Sequence, residues 1–562
     1  MKMNRLYKLG AVVAATFMLS SCDDFLSEDV RGSENLDTYF QTADEVNAFV
    51  GGCYFDIDRG GSWWEVQWMW LENDATTDDL WDGNTTQEDD LQKVTHFQAS
   101  APDQGNGIRN FWRARYIGIR NCNVALERIA NSPVDENLKK QRIAEVRFLR
   151  AYYYFELVRN YGGVPLVVSQ NQDVTGLSRS SIEDCYAFIE SELELAAQDL
   201  KQRSELAAAD MGRATRGAAL GILGKAQIYQ GKYTEAKTTL KTIIDDGEYQ
   251  LLPNFGDVWN ADFNNSVESL FETQHMYSDE VNLMGGSLTV VTGCRNGVGD
   301  GWAWGTPTSD LENAFIAAGD TERLRWTIIK TMCSEIAGET QFSTFVRNNQ
   351  DLCKVTDAKY LEYMDKFGWT VLDYNSKYII DPAQHKSARI IRKYFLPINQ
   401  RPEVYNTDRS PLNHRILRYA DVLLLYAEAC NETNDDSQAR WALNQVRNRV
   451  HLPEVTAGGD ELRQAIRLER RLELAYEQNR LFDIRRWDDT NGKKVMCNLF
   501  GPNGSFVKYN TGPDADMYEA WNQIEPSNKG INFREDRDLL YPIPREDIQR
   551  SNGAIVQNPG WN

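Results

Sequence analysis

The sequence predicts a mostly α-helical fold, in which helix hairpins form a scaffold around an irregular, loop-rich subdomain with short strands. Three observations lead there. Apolar residues recur at three- and four-residue steps over residues 138–160. Residues 213–247 carry the small and packing residues of a helix hairpin, and residues 418–443 echo them. Residues 250–410 lose this periodicity and hold Gly clusters, Pro and aromatics instead. With 562 residues, 42% hydrophobic and 25% charged, the chain has the composition of a folded protein of more than one domain.

The first element is an export signal. Lys2, Arg5 and Lys8 form a basic head, Gly10 to Leu19 an apolar run, and Ser20 and Ser21 precede Cys22. The run is too short to cross a bilayer core of about 30 Å. Leu19-Ser-Ser-Cys22 resembles a bacterial lipobox, in which the Cys becomes the first mature residue and carries lipid. The expectation is a signal peptide over residues 1–21, lipidation at Cys22, and a chain tethered by acyl groups.

Helices follow. Ile143, Val146, Ala151, Tyr154, Phe155 and Val158 place one long helix over 138–160, and Gly162-Gly-Val-Pro165 stops it. Tyr152 to Tyr154 read as core packing at this spacing. In the next unit Leu220, Leu223, Gly224, Gly231, Tyr233, Ala236 and Leu240 occupy the positions a tetratricopeptide (TPR) repeat uses, with Gln227 and Glu248 departing from it. Leu423, Ala427, Ala439 and Leu443 repeat the pattern. These TPR-like hairpins lie too far apart for one uninterrupted solenoid, and each needs stacked neighbours, so distant segments must assemble into one scaffold. Residues 461–487 read as a further long helix rich in Arg and Glu. There Glu469, Arg470, Arg471, Glu473 and Arg485 are expected to pair along helix faces, and Asp421 and Asp483 to accept from helix ends or Arg.

The net charge of −21 argues against nucleic acid, which is held by clustered Lys and Arg, and against adhesion to an anionic bilayer. After Cys22, the cysteines form no CxxC pair and sit near no His at metal-ligand spacing, so no metal site and no disulfide is assigned. Cys122, Cys185 and Cys430 fall in helical apolar patterns and read as buried thiols.

At this point a resemblance becomes specific. Cys22 followed by Asp23-Asp-Phe-Leu26 resembles the mature start of the SusD/RagB family, surface lipoproteins of Bacteroidetes nutrient-uptake systems. Arg147-Phe-Leu-Arg-Ala-Tyr-Tyr-Tyr-Phe155, Tyr161-Gly-Gly-Val-Pro-Leu166 and Arg418-Tyr-Ala-Asp-Val-Leu-Leu-Leu-Tyr-Ala-Glu-Ala429 resemble family elements in the family's order. So do Ala442-Leu-Asn-Gln-Val-Arg-Asn-Arg449, Glu469-Arg-Arg-Leu-Glu-Leu474, Arg480-Leu-Phe-Asp-Ile-Arg-Arg-Trp487, Tyr541-Pro-Ile-Pro544 and Gln557-Asn-Pro-Gly-Trp561. The resemblance implies a TPR-containing scaffold, capture of oligo- or polysaccharide, and docking as a lid on a SusC-like TonB-dependent transporter at the extracellular face of the outer membrane. It implies no cofactor and no catalysis. It divides the chain into the signal over 1–21, an N-terminal region over 22–250 with TPR-like helices, and a C-terminal region over 251–562. The last of these holds the inserted loop-rich ligand-binding part and further TPR-like helices.

Five of the fifteen Trp lie between residues 63 and 81, where uniform scatter would place fewer than one. Sugar rings lay apolar C–H faces on aromatic rings, while their hydroxyls are read by Asn, Asp and Arg. A rigid indole loses little entropy in doing so. Trp68, Met69, Trp70 and Leu71 are uniformly apolar and read as core. Trp81 sits in the polar stretch Asp78-Asp-Leu-Trp-Asp-Gly-Asn84, which predicts an exposed ring. The stretch resembles the family segment in which a platform Trp precedes an Asn by three residues, so Trp81 and Asn84, with Asp82, are carried as ligand contacts. A second wall is predicted at Gly297-Val-Gly-Asp-Gly-Trp-Ala-Trp-Gly305. If this stretch is extended, Trp302 and Trp304 project to one side, while its glycines admit a ligand or close a loop. Tyr277 and Arg295 join this set through the family's placing of further aromatics in the middle region. Gly297-Val-Gly-Asp-Gly301 lacks the Lys, preceding strand and helix start of a phosphate loop.

Two rival readings stand beside glycan capture. A helical glycoside hydrolase would need two carboxylates about 5–10 Å apart beside the platform, which Asp78, Asp79 and Asp82 supply only by converging on a cleft. A peptide-binding lid of the same family would need backbone partners such as an open strand edge. The five histidines form no HExxH, and the chain has no GxSxG.

Overall fold

A computed structural model of the chain describes residues 39–58, 63–82, 89–99, 105–278, 280, 285–293, 301–330, 389–396, 409–512 and 529–561. Cys22 and the signal lie outside these residues.

The described part is mostly helical, as the sequence predicts. Helix α1 (Ala43–Phe55) begins on a capping box, with Thr42 Oγ1 accepting from Glu45 N and Glu45 Oε2 from Thr42 N. A π-helical turn over Trp63–Gln67 runs into α2 (Trp68–Ala75). The long helices α3 (Asn106–Ala130), α4 (Glu136–Tyr161) and α5 (Ile182–Asp199) follow, then the hairpin of α6 (Arg216–Tyr229) and α7 (Tyr233–Asp246). After the short α8 (Leu288–Thr292) come the hairpin of α9 (Tyr419–Glu432) and α10 (Asp436–Arg449), then α11 (Gly459–Glu473) and α12 (Arg480–Arg486).

Each helix from α4 to α7 packs on its predecessor, and α7 then packs on α9. The two TPR-like hairpins are therefore neighbours, although the whole loop-rich part separates them in sequence. Small residues allow this. A Cβ on Gly224 would stand 2.6 Å from Leu240 Cδ2, and one on Gly221 would stand 2.4 Å from Leu417 Cδ2. Helix α4 stops where expected: Gly162 takes φ 77°, which a side chain would resist. Tyr152, Tyr153 and Tyr154 on this helix are buried, and Cys122, Cys185 and Cys430 are buried free thiols.

The strands are short and paired in twos, all antiparallel. β1 (Leu80–Trp81) pairs with β3 (Thr306–Pro307), β2 (Ser269–Glu272) with β6 (Arg415–Arg418), and β4 (Ile328–Lys330) with β5 (Arg389–Ile391). The loop-rich part also carries short helices over Ser309–Ala317 and Thr321–Thr327.

The sequence pattern misleads at 461–487. One helix is expected, yet the chain breaks between α11 and α12, with Tyr476 and Gln478 at φ 64° and 53°. The break turns three polar side chains inward: Glu477 accepts from Lys393 Nζ (2.7 Å), Gln478 Nε2 donates to Asp74 (2.7 Å), and Asn479 accepts from Lys225 Nζ (2.6 Å). A continuous helix would leave those buried partners unmet.

Glu469, Arg470, Arg471 and Glu473 of α11 also pair with other segments rather than along its own face. Glu473 is buried and accepts from Arg323 (2.9 Å), Arg418 and Arg449, which come from three other segments. Arg418 reaches Glu268 and Glu477 as well (2.9 and 2.7 Å). Arg470 bridges Asp421 (2.8 Å) and Asp483 (2.9 Å), so both acids accept from Arg as expected. Arg485 lies over the ring of Tyr541. Burial alone would raise the pKa of Glu473; Arg449, Arg418 and Arg323 outweigh it and hold the carboxyl well below its usual range. Replacing Glu473 with Gln leaves three buried guanidinium groups short of charge. It should destabilise the protein by about 3–5 kcal/mol in urea unfolding, and a loss under ~1 kcal/mol would show that the cluster is not cooperative.

Candidate ligand-binding site

Helix α2 forms the floor of the aromatic region. All of its residues are buried, and Trp68 donates its indole N–H to Glu72 Oε1 at 2.8 Å. Trp68 and Trp70 are thus core, as the sequence reading has them. On Trp68 stands Trp304, in a T-shaped contact with ring centroids 5.0 Å apart, and against Trp304 leans Trp302 at 4.6 Å and 43°. Trp304 is 8% exposed, whereas Trp302 is only half-buried.

The stretch carrying them is not extended, because Ala303 between the two Trp sits at φ 56°. The rings nonetheless meet, since the backbone is held at three points by the α8 segment. Trp302 N donates to Val290 O (2.7 Å), Ala303 N to Gly293 O (2.9 Å) and Trp304 N to Val291 O (2.9 Å). The glycines serve this contact. A Cβ on Gly301 would come within 2.4 Å of the Gly293 carbonyl carbon, so Gly301 lets two backbones touch each other.

Tyr277 is half-buried on the segment that continues β2. Arg295 and Asn84 lie outside the described residues. Among described side chains, two further Trp reach the surface. Trp326 is half-buried beneath Arg392 at 4.0 Å, and Trp441 on α10 is 40% exposed.

The expectation for Trp81 is corrected. Its ring is 1% exposed, lies 5.9 Å from Phe506, and has Lys529 Nζ 5.6 Å from its centre. Two causes pull it inward. Trp81 is paired with Thr306 across the β1–β3 ladder, and the acids that suggested a solvated turn are neutralised from far along the chain. Asp78 takes a two-pronged bond from Arg480 (2.9 and 2.7 Å), and Asp79 accepts from Arg471 (2.7 Å). Burial would raise the pKa of Asp78, but Arg471 and Arg480 outweigh it and hold the carboxyl well below its usual range. Asp82 is corrected likewise: it is fully buried and lies within 2.9 Å of His96 Nε2 and 3.2 Å of Thr95 Oγ1.

This arrangement can stack a flat apolar face on Trp302. It does not bring Asp78, Asp79 and Asp82 to an open cleft as an acid and base. Among the described residues, no group of three or more His, Cys, Asp or Glu is placed to hold a metal ion, and no helix is long and apolar enough to cross a membrane. Sequence reasoning missed the pairings that fix the region, namely Arg471 with Asp79, Arg480 with Asp78 and the buried Gln67 with Ser287, because the partners are distant in the chain.

Two family models match the chain: the SusD family over residues 267–561, and a family described as starch-binding, associating with outer membrane, over residues 62–229. A SusD-like protein P2 from Formosa agariphila is 24% identical, covering 99% of each chain. Among solved structures, a SusD homolog from Bacteroides thetaiotaomicron is similar with a TM-score of 0.73 at 23% identity, over 94% of this chain and 98% of that one. A laminarin-binding SusD-like protein is similar with a TM-score of 0.69 at 23% identity, over 92% and 99%. A surface glycan-binding protein A from Bacteroides fluxus gives 0.68 at 22% identity, over 92% and 99%.

The Gly301 contact gives a local test. Gly301→Ala should push the Trp302 segment off α8 and weaken the near-ultraviolet circular dichroism of the Trp302–Trp304 pair by about as much as Trp302→Phe does. A spectrum like that of the unsubstituted protein would show that this contact does not set the rings.

Proposed function

The chain belongs to the SusD family, and on that premise we propose that it captures oligo- or polysaccharide at the outer membrane without cleaving it. The observation that carries the reading is the pairing of this membership with Trp302. That indole stays half-open on a buried aromatic floor, as a sugar platform requires. Structural relatives described as laminarin-binding and as surface glycan-binding support the same ligand class, and a family described as associating with the outer membrane supports the location.

In this reading the sugar ring rests on Trp302, which Trp304 and Trp68 back, with Tyr277 as a second aromatic contact and Arg295 and Asn84 as readers of hydroxyls. Trp81 and Asp82 take no part as direct contacts, being buried. Cys22 carries the lipid that tethers the protein to the extracellular face. Captured glycan passes to a SusC-like TonB-dependent transporter, over which the protein acts as a lid. The chain divides after the signal into a region over 22–250 and one over 251–562, and the two family matches support a boundary between residues 229 and 267. The pairing of Asp79 with Arg471, of Asp78 with Arg480 and of Asp82 with His96 supports binding over hydrolysis.

Affinity electrophoresis through gels containing soluble polysaccharides, laminarin and starch among them, tests this. At least one polysaccharide should retard the protein. Trp302→Ala should weaken that retardation by about tenfold, the scale of ~1–2 kcal/mol for a stacked indole. Equal retardation of the variant would refute the platform, and mobility unchanged in every gel would refute glycan capture.

A further inference from the structure

Beneath the aromatic region lies a chain of buried polar contacts that the proposed function does not use. His275 stands two residues before Tyr277, with its side chain 4% exposed. Its Nε2 meets the carboxylate of Asp58 and its Nδ1 lies 2.9 Å from Leu412 O. Asp58 also accepts from Gln67 Nε2 at 3.2 Å, and Gln67, fully buried, stands immediately before Trp68 at the start of α2. The other end of the Gln67 amide accepts from Ser287 N at 2.7 Å. Ser287 opens α8, whose Val290 and Val291 carbonyls hold the backbone of Trp302 and Trp304. Gly286 closes the circle, since a Cβ there would sit 2.7 Å from His275 Nδ1.

We propose that His275, Asp58 and Gln67 are positioning residues, a buried relay that fixes the segments bearing Trp68, Tyr277 and Trp302–Trp304 relative to one another. That these segments form a ligand platform rests on the glycan-binding reading; the relay itself does not. The links join the stretches that carry Trp68 and Tyr277 to α8, on which the backbone of Trp302 and Trp304 is held.

The relay is set by a proton. Both ring nitrogens of His275 face acceptors, so only the doubly protonated ring donates to both. A neutral ring would turn a lone pair toward either Asp58 or Leu412 O. The other groups facing it are Glu272, itself paired with Arg415, the Asn413 side chain, which accepts from His275 N at 2.7 Å, and the buried His414. Burial alone would lower the pKa of His275; Asp58 outweighs it and raises the pKa above the ordinary histidine value. A group raised in the folded state contributes stability at low pH and loses it as pH rises through the folded pKa. The relay is therefore closed while His275 is protonated and Asp58 ionised, and it opens as pH rises through the raised pKa of His275.

Hydrogen–deuterium exchange of the full chain, corrected for intrinsic rates, reads this without any glycan. From about pH 6 to about pH 10, protection over 285–293 and 301–304 should fall by about tenfold or more, the scale of one lost charge-assisted hydrogen bond. Protection of α6 and α7 should hold. In His275→Gln, which can donate to Asp58 but cannot carry the charge, protection at those segments should already be low at about pH 6 and flat with pH. Protection that ignores both pH and the substitution overturns the proposal, as does a fall shared equally by α6 and α7. A relay that behaves as expected in a protein retarded by no polysaccharide would leave the relay standing and remove only the glycan reading.

Discussion

Buried charge that can be neutralised only across distant segments is the constraint on which this structure depends. Glu473 on α11 is reached by Arg323 from the loop-rich part, by Arg418 at the start of α9, and by Arg449 at the end of α10. Glu268, next to β2, receives Arg418 and Arg449 in turn. A charge of either sign left alone at this depth would cost several kcal/mol. The α9–α10 hairpin and the loop-rich part therefore each supply guanidinium groups to the same buried carboxylates. This sharing joins two regions that local sequence presents as unlike.

A second set of ion pairs does the same for the N-terminal region. Arg471 and Arg480 leave α11 and α12 to meet Asp78 and Asp79. In doing so they spend the acids that would otherwise be the strongest argument for hydrolysis, and they draw Trp81 inside. Above the aromatic floor the indole of Trp302 is half-buried. A rigid ring on rigid neighbours loses little entropy when a ligand settles on it, and the ionic clamps supply that rigidity from below.

Much of this was legible in the sequence where the cause is local. The 138–160 helix, its glycine stop and the small residues of the hairpins follow from spacing alone, since the partners lie within a turn or two. The failures share one physical origin. Trp81 reads as exposed because its neighbours are acidic, yet the guanidinium that answers Asp79 is 392 residues away. The break between α11 and α12 is invisible because the helical pattern runs through it, while its cause is a set of buried partners on other segments. The bond between His275 and Asp58 spans 217 residues, and a lone histidine in a strand-like stretch gives no hint of it. The meeting of Trp302 with Trp304 was legible in the Gly-rich stretch with alternating Trp.

The proposed function sets a sugar on the aromatic face of a charge-clamped helical scaffold and leaves that sugar whole. The most direct test is a crystal structure of the protein with a polysaccharide fragment that retards it in gels. The account predicts an intact glycan with a sugar ring lying on the Trp302 indole. A glycan seated elsewhere on the molecule, or found cut at the site, would contradict it.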